Sequence, residues 1–168
     1  MKKSFIKVLA VSVMVAGLIP QAAMAETTPA VNTASVQEVT SSMRGATGAQ
    51  IVKKAKQYIG TPYKWGGTTT AGFDCSGFTQ YVYKQCGVTI SRTTKTQVKE
   101  GKAVSKANLK AGDLVFFKDT YSGCTNPSHV GIYIGNNEFI HCGSSGVTTA
   151  KINSNYWSQH YYSARRIL

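Results

Sequence analysis

The chain has 168 residues, and its 19 Lys and Arg against 7 Asp and Glu give a formal net charge of +12. This length suits one domain with its own apolar core. Such a positive charge predicts a polyanionic environment, which can be nucleic acid, an acidic membrane surface or an anionic cell wall. The alternative is a basic surface that only aids solubility.

The first 25 residues predict export. Three lysines precede an apolar run over residues 8–19, and residues 23–25 (Ala-Met-Ala) form a small-x-small cleavage signal. The run is too short to span a bilayer comfortably, so residues 1–25 are interpreted as a signal peptide, with no stable membrane insertion after cleavage. Export disfavours nucleic acid as a partner and favours an anionic cell wall. We expect a secreted protein, extracellular or wall-associated, or periplasmic if the source has an outer membrane.

Residues 26–48 are rich in Thr, Ala, Ser and Val and lack aromatic residues, which is typical of a flexible leader. A folded domain is predicted over residues 49–168. It opens with helical spacing from Ile51 to Ile59, and Gly60 is the expected stop. A glycine-rich turn follows, in which Tyr63 and Trp65 are expected to cap the core, the commoner fate of such aromatics.

A second helix is predicted from Cys75 to Cys86, with Asp74 as its N-cap. Its buried stripe includes Phe78, Val82 and Cys86. Cys75 falls in the first turn, where the helix dipole and free amides favour a thiolate, the form in which a thiol is a nucleophile. The alternative for a lone cysteine in this position is inert packing.

The later sequence predicts strands. Residues 114–117 form an apolar run typical of a buried strand, and residues 129–142 have the pattern of a hairpin. A three-residue loop pairs Ile134 with Glu138 and places His129 and His141 on one face, whereas a two-residue loop would separate them. Apolar residues from 152 to 167 predict one or two last strands that close a small barrel-like sheet, with His160 structural or exposed.

Four cysteines in an exported protein normally suggest disulfides. With Cys75 kept free, any disulfide is predicted to join Cys124 to Cys142, and a chain with all thiols free is the open alternative. Zinc is disfavoured because no C-x-x-C pair is present and the adjacent His141 and Cys142 would point to opposite faces of a strand. No metal and no cofactor are expected.

Six blocks of sequence, in this order, resemble the NlpC family of bacterial cell-wall cysteine peptidases over residues 49–168: Tyr63-x-Trp65-Gly66-Gly67, Phe73-Asp74-Cys75-Ser76-Gly77-Phe78, Arg92-Thr93-Thr94 with Gln97, Gly112 to Phe117, Ser128 to Tyr133, and Phe139-Ile140-His141. The resemblance implies an α+β, papain-like fold in which N-terminal helices, including the nucleophile helix, pack on an antiparallel sheet of five to six strands. It implies hydrolysis of peptidoglycan stem peptides, typically between γ-D-glutamate and the diamino acid. Peptidoglycan or muropeptides are the expected partners, and we expect a monomer.

The resemblance also implies roles. Cys75 is the nucleophile, His129 is the base, and His141 holds His129 in the useful tautomer. Tyr63 resembles the family tyrosine that, with the Cys75 amide, stabilises an oxyanion. His129 follows Cys75 by only 54 residues, against roughly 130–150 in papain itself.

Substrate contacts are implied for four further residues. Asp74 and Ser76 flank the nucleophile, with Asp74 expected to hold a substrate ammonium group. Arg92 and Thr94 match positions associated with a substrate carboxylate, although serine is more usual where Thr94 stands. The segment 119–127 is longer than is usual in the family. Two rival interpretations are an amidase of the CHAP type, which also uses cysteine and histidine, and a wall-binding module with a degenerate site.

Overall fold

The computed structural model describes residues 45–168. The predicted signal peptide and residues 26–44 of the predicted leader lie outside the described residues. In the part of the chain that the structure describes, no helix is both long enough and apolar enough to cross a membrane.

The first helix, α1 (Gly48–Lys56), begins at a capping box. The Thr47 hydroxyl accepts a hydrogen bond from the Gln50 amide, and the Gln50 side chain accepts one from the Thr47 amide at 2.7 Å. The pair satisfies two amides at the helix start. The helix ends before the predicted Ile59, and the chain turns until Gly60, whose φ of +89° lies in the left-handed region that glycine adopts without strain.

The second helix, α2 (Cys75–Gln85), has the predicted limits to within one residue. Asp74 has extended backbone, and its carboxylate accepts a hydrogen bond from the Gly77 amide at 2.7 Å. This confirms the predicted N-cap. Phe78 and Val82 are fully buried as expected, and Tyr83 is buried with them. The helix start is therefore held in place by a local cap and by the core.

Six antiparallel strands form the main sheet, and a two-stranded ribbon lies before α2. The ribbon consists of β1 (Thr68–Thr69) and β2 (Gly72–Phe73). In spatial order, the sheet consists of β3 (Lys102–Ala103), β8 (Tyr161–Arg166), β4 (Leu114–Phe117), β5 (His129–Gly135), β6 (Glu138–Gly143) and β7 (Gly146–Lys151). Two short helices complete the fold, α3 (Thr94–Gln97) and α4 (Asn155–His160). The expected α+β class, with helices packed on an antiparallel sheet, is confirmed.

Both faces of the central strand β4 are buried, which accounts for its uninterrupted apolar sequence. Leu114 and Phe116 belong to the main core, where α1 and α2 cover the sheet. Val115 and Phe117 belong to a second cluster on the opposite face. Trp157 of α4 packs against this second cluster.

The hairpin of β5 and β6 has the predicted pairing in its body and a different loop. Ile132 pairs with Ile140 and Tyr133 with Phe139, but Gly135 pairs with Glu138. The loop is therefore the two residues Asn136 and Asn137, both with positive φ, and a one-residue bulge shifts the register between Tyr133 and Gly135. The extra residue compensates for the shorter loop. The two histidines consequently remain on one face.

The end of the chain was predicted incorrectly in part. Residues 155–160 form α4, so Tyr156 and Trp157 lie on a helix rather than on a strand. The sheet is open, with β3 and β7 at its edges, and not barrel-like. The Ser154 side chain accepts a hydrogen bond from the Trp157 amide and caps α4. This cap allows a helix of six residues to interrupt a strand-rich segment.

Cys86 offers a test of packing that is separate from chemistry. Its half-buried side chain packs against the main core at the C-terminal end of α2. Replacing it with alanine is expected to lower the free energy of unfolding by about 1 kcal/mol, because a small apolar group loses its contacts. Turnover should stay nearly unchanged. Urea denaturation and peptide hydrolysis measure the two effects, and a large loss of activity at unchanged stability would contradict this interpretation.

Candidate active site

Cys75 occupies the first position of α2, and its half-buried thiol lies beside the start of α3. Its Sγ is 3.7 Å from Oγ1 of Thr94. The Asp74 cap fixes where the helix begins and hence where the sulfur lies. The predicted position of the thiol at a helix start is confirmed.

The predicted shift of the thiol toward the thiolate is wrong for this structure. Burial raises the pKa of Cys75, because the charged sulfur would lose solvation. The Thr94 hydroxyl and the amides of Val130 and Ser76 act in the opposite direction, and the negative charge of Asp74 adds to the rise. The resting thiol is therefore protonated, and a base must remove its proton.

The imidazoles of His129 and His141 are directly hydrogen-bonded to each other. Nε2 of His129 lies 3.0 Å from Nδ1 of His141, and the rings meet nearly perpendicularly with centroids 5.0 Å apart. The two residues are only 9% and 6% exposed. Gly131 provides space beside them, since a Cβ at Gly131 would lie 3.1 Å from the Cβ of His141. The prediction that the histidines share one face is confirmed.

Burial keeps both imidazoles neutral. It lowers the pKa of His129 to about 3, with a further contribution from the neighbouring His141, and that of His141 to about 4. The physical cause is the loss of solvation of an imidazolium in an enclosed aromatic setting. A neutral imidazole has a nitrogen lone pair that can accept a proton.

Acidification is expected to destabilise the fold through this pair. In the unfolded chain each imidazole has its ordinary pKa near 6.5, so the unfolded state binds more protons than the native state below that value. The free energy of unfolding should fall as the pH drops from about 6.5 toward the native values. The slope is up to about 1.4 kcal/mol per pH unit for each imidazole. Urea denaturation at neutral pH and at about pH 5 measures the loss.

A matched variant isolates the contribution of the pair. His141→Asn removes one of the two titrating imidazoles, so its stability should depend less on pH over the same interval. Equal losses in wild type and variant would show that other groups carry the acid sensitivity.

Asp74 and Arg92 form an ion pair on the wall next to the thiol. The Arg92 guanidinium donates to both carboxylate oxygens of Asp74, at 3.0 Å for Oδ1, and to the Ser76 hydroxyl at 2.9 Å. Ser76 in turn donates to Asp74 at 3.2 Å. Asp74 and Arg92, which are expected to bind an ammonium group and a carboxylate of the substrate, thus neutralise each other in the free protein.

A single cavity of about 1040 Å³ brings the predicted site together. Its lining includes all eight predicted residues: Tyr63, Asp74, Cys75, Ser76, Arg92, Thr94, His129 and His141. Within residues 45–168, no group of His, Cys, Asp and Glu side chains is arranged to hold a metal ion. The cavity therefore combines the Cys75 thiol, a neutral imidazole pair and one ion pair, and the buried Cys142 also belongs to its lining.

Comparison with known proteins shows the family to which this fold belongs. The family model described as NlpC/P60 family matches residues 60–166. The chain belongs to the NlpC/P60 family. The solved structure of an NlpC/P60 family protein from Bacillus cereus ATCC 10987 is similar, with a TM-score of 0.67 and 38% identity over 74% of this chain and 41% of that one.

Two curated relatives have similar sequences. "Probable peptidoglycan endopeptidase LytE" of Bacillus subtilis is 49% identical over 118 residues, which are 70% of this chain and 34% of LytE. "Murein DD-endopeptidase MepS/Murein LD-carboxypeptidase" of Escherichia coli K12 is 43% identical over 122 residues, or 71% of this chain and 63% of MepS. The chain thus spans about a third of one relative and under two thirds of the other.

Two aromatic residues of this NlpC/P60 domain lie differently from the sequence prediction. Trp65 and Tyr63 do not cap the core, because Trp65 is 79% exposed and Tyr63 38% exposed, and both line the cavity. Burial raises the pKa of Tyr63, and the nearby Cys75 and Asp74 add to the rise, so the phenol stays protonated. It remains a hydrogen-bond donor next to the thiol.

The sequence did not predict that Trp157 belongs to the site, and it predicted no structural role for Gln97. Trp157 lines the cavity from α4 and contacts both histidine rings. Gln97 is fully buried, and its amide donates to the carbonyls of Ser76 and Ser91 at 3.0 and 2.7 Å. It ties the Arg92 segment to α2. A buried glutamine in a family motif is a signal for such a clamp, whereas nothing local marks Trp157.

The cysteines are all free in the structure. The structure therefore agrees with the alternative prediction, that all thiols are free, and it contains no disulfide between Cys124 and Cys142. Cys142 is buried, and its thiol donates to the carbonyl of Phe73 at 3.1 Å inside the main core. Burial raises its pKa to about 12, which keeps this thiol protonated and unreactive.

Proposed function

We propose that this protein is a secreted cysteine endopeptidase that hydrolyses peptidoglycan stem peptides between γ-D-glutamate and the diamino acid. The observation that supports it most is the shared cavity of the Cys75 thiol and the bonded His129–His141 pair. Membership of a family whose relatives are named as peptidoglycan and murein endopeptidases supports the substrate class. The net charge of +12 agrees with action in an anionic wall. We also propose that the protein acts as a monomer.

The hydrogen bond of the pair assigns the proton positions that catalysis needs. For His129 to accept a proton at Nδ1, its own proton must lie on Nε2 and be donated to Nδ1 of His141. His141 then carries its proton on Nε2. In this arrangement His141 holds His129 in the tautomer whose free nitrogen can serve the thiol.

The reaction follows from these roles. Nδ1 of His129 takes the proton of Cys75 as Sγ attacks the scissile carbonyl carbon, and the carbonyl oxygen becomes an oxyanion. The Cys75 amide at the helix start and the protonated Tyr63 hydroxyl donate to this oxyanion. His129 then protonates the leaving amine, which leaves a thioester. Water, deprotonated by His129, attacks the thioester and releases the acid with the thiol restored.

The ion pair gives the cavity a polar recognition wall. Asp74 and Arg92 present opposite charges side by side, with Ser76 bonded to both. A stem peptide offers a carboxylate next to the γ-glutamyl bond and, at a free end, an ammonium group. We assign the carboxylate to Arg92 and the ammonium to Asp74. Thr94, which lies beside the sulfur, would contact the substrate close to the scissile bond.

Digestion of purified muropeptides with mass spectrometry of the products tests the proposal. Cleavage at the proposed bond releases the diamino acid end from a disaccharide that retains L-alanine and γ-D-glutamate. Conversion of cross-linked dimers to monomers would instead indicate the DD-endopeptidase activity for which MepS is named. Separation of glycan from the whole peptide would indicate an amidase of the CHAP type.

The Cys75→Ala protein is the control for this digest. Products that appear with wild type and equally with the variant come from a contaminant. A folded wild type that leaves every muropeptide intact would refute the proposal and favour the wall-binding module.

A further inference from the structure

Trp157 is the aromatic residue that contacts both members of the histidine pair. Its ring centroid lies 5.4 Å from that of His129 and 5.0 Å from that of His141. In the described part of the chain, Phe117 contacts His129 at 6.3 Å and Phe139 contacts His141 at 5.0 Å, and neither contacts both. The indole therefore spans the junction between the two imidazoles.

Hydrogen bonding alone does not hold the pair. Within residues 45–168, the only hydrogen bond that involves either imidazole is the one between His129 and His141. One bond leaves each ring free to turn about its side-chain torsions, and an imidazole has soft rotation at χ2. The orientation of the rings must then come from packing, and Trp157 packs on both.

The helix that carries Trp157 is anchored on the cavity side. The Tyr156 hydroxyl donates to the carbonyl of Thr120 at 3.3 Å, and the Lys118 amide donates to the carbonyl of His160 at 2.7 Å. Both partners lie on the segment that joins β4 to β5 and so leads into His129. The same segment between β4 and β5 therefore holds α4, which carries the indole, and leads into His129 of the histidine pair.

We infer that Trp157 is a positioning residue, whose indole holds the His129–His141 pair in its bonded orientation and keeps water from the hydrogen bond between them. The inference rests on the proposed function, in which that bond sets the tautomer of the base. Trp157 lines the cavity beside both histidines, so it stands between the bond and solvent. Replacing it opens the pair to water, which competes for the imidazole nitrogens and lets the rings turn.

The lowered imidazole pKa values agree with this role, since burial is their main cause. Eight other titratable or charged residues line the same cavity: Tyr63, Asp74, Cys75, Arg92, Lys95, Tyr121, Cys142 and Tyr156. Lys118 and His160 lie at the backbone hydrogen bond between α4 and the segment that leads into His129. Asp74, the one carboxylate of the lining, is paired with Arg92. Trp157 is therefore expected to act on the pKa values of the two imidazoles through their hydration and not through a charge.

The first test reads the pair without any substrate. The sequence contains two tryptophans, so Trp65→Phe leaves Trp157 as the sole indole, and a protonated imidazole in contact quenches its fluorescence. We expect the fluorescence of this protein to titrate near pH 4, well below the ordinary histidine value. A fluorescence titration near pH 6.5 would show that Trp157 does not contact a histidine pair shielded from water, and it would overturn the inference.

The second test compares Trp157→Ala with Trp157→Phe. NMR of the His129 and His141 rings should show their titration in Trp157→Ala moving up by about one pH unit or more, and much less in Trp157→Phe, which keeps an aromatic ring. The acid limb of kcat/KM should move in the same direction, because protonated His129 is no base. We expect kcat to fall by on the order of 10-fold or more, with KM little changed.

Tyr162→Ala is the matched control, because it removes an exposed ring on β8 that does not line the cavity. Its titration and kinetics should equal those of wild type. If Trp157→Ala loses activity while both imidazoles titrate as in wild type, the residue is merely structural and the inference fails. If it unfolds, the graded shift in Trp157→Phe decides. If wild type cleaves no stem peptide, the proposed function fails, while the fluorescence and NMR titrations still test the positioning.

Discussion

Replacing Cys75 with alanine is expected to abolish peptide hydrolysis and leave the fold intact. The other cysteine of the cavity lining, Cys142, cannot take over, since it is buried in the core with its pKa raised to about 12. Loss of the nucleophile should reduce kcat by on the order of 10³-fold or more. Stability should change little, because one small side chain in a first helical turn contributes few core contacts. Muropeptide digestion and urea denaturation measure the two quantities.

Cys86→Ala serves as the matched control for this variant. It removes the same group from the other end of the same helix, where the sulfur packs against the core and lies outside the cavity. It should retain turnover. Hydrolysis by Cys75→Ala within tenfold of wild type would refute the assignment of Cys75 as nucleophile.

Replacing His141 should separate orientation from proton transfer. His141→Ala removes the acceptor that lies 3.0 Å from Nε2 of His129, so His129 can turn or adopt the wrong tautomer. We expect a loss of roughly 10²–10⁴-fold in kcat, as in other hydrolases whose base loses its orienting partner. His141→Asn and His141→Gln keep a group that can accept the Nε2 proton and should retain part of the rate. Steady-state kinetics on one purified muropeptide measures the series.

His129→Ala sets the lower limit of the same series. No other group of the cavity can carry the proton between sulfur and leaving amine, so this variant should be at least as impaired as His141→Ala. Full activity in His141→Ala would remove that residue from the site and leave a dyad of Cys75 and His129.

Local signals predicted the elements that carry the nucleophile and the central strand. Asp74 before an apolar stripe indicates a helix start, and the structure has its carboxylate on the Gly77 amide. The apolar run 114–117 is a strand with the predicted limits. These predictions succeed because a cap and a strand depend on residues that are neighbours in the chain.

The histidine pair shows where local reasoning is incomplete. Parity of the hairpin correctly placed His129 and His141 on one face, although the loop is shorter than predicted and a bulge restores the register. The alternation of apolar residues determines which side chains face the core, and it tolerates a bulge that exchanges one loop residue for one strand residue. The loop length itself was decided by backbone geometry at Asn136 and Asn137.

By itself, the sequence determined the family resemblance, the position of the thiol at a helix start and the shared face of the two histidines. Only the tertiary structure decided the protonation of the thiol, because burial outweighs the helix start at Cys75. It also decided that Arg92 pairs with Asp74 and that Trp157 covers the histidines from a helix. These contacts join residues far apart in the chain, so solvation and pairing there depend on how the layers pack, which no local pattern encodes.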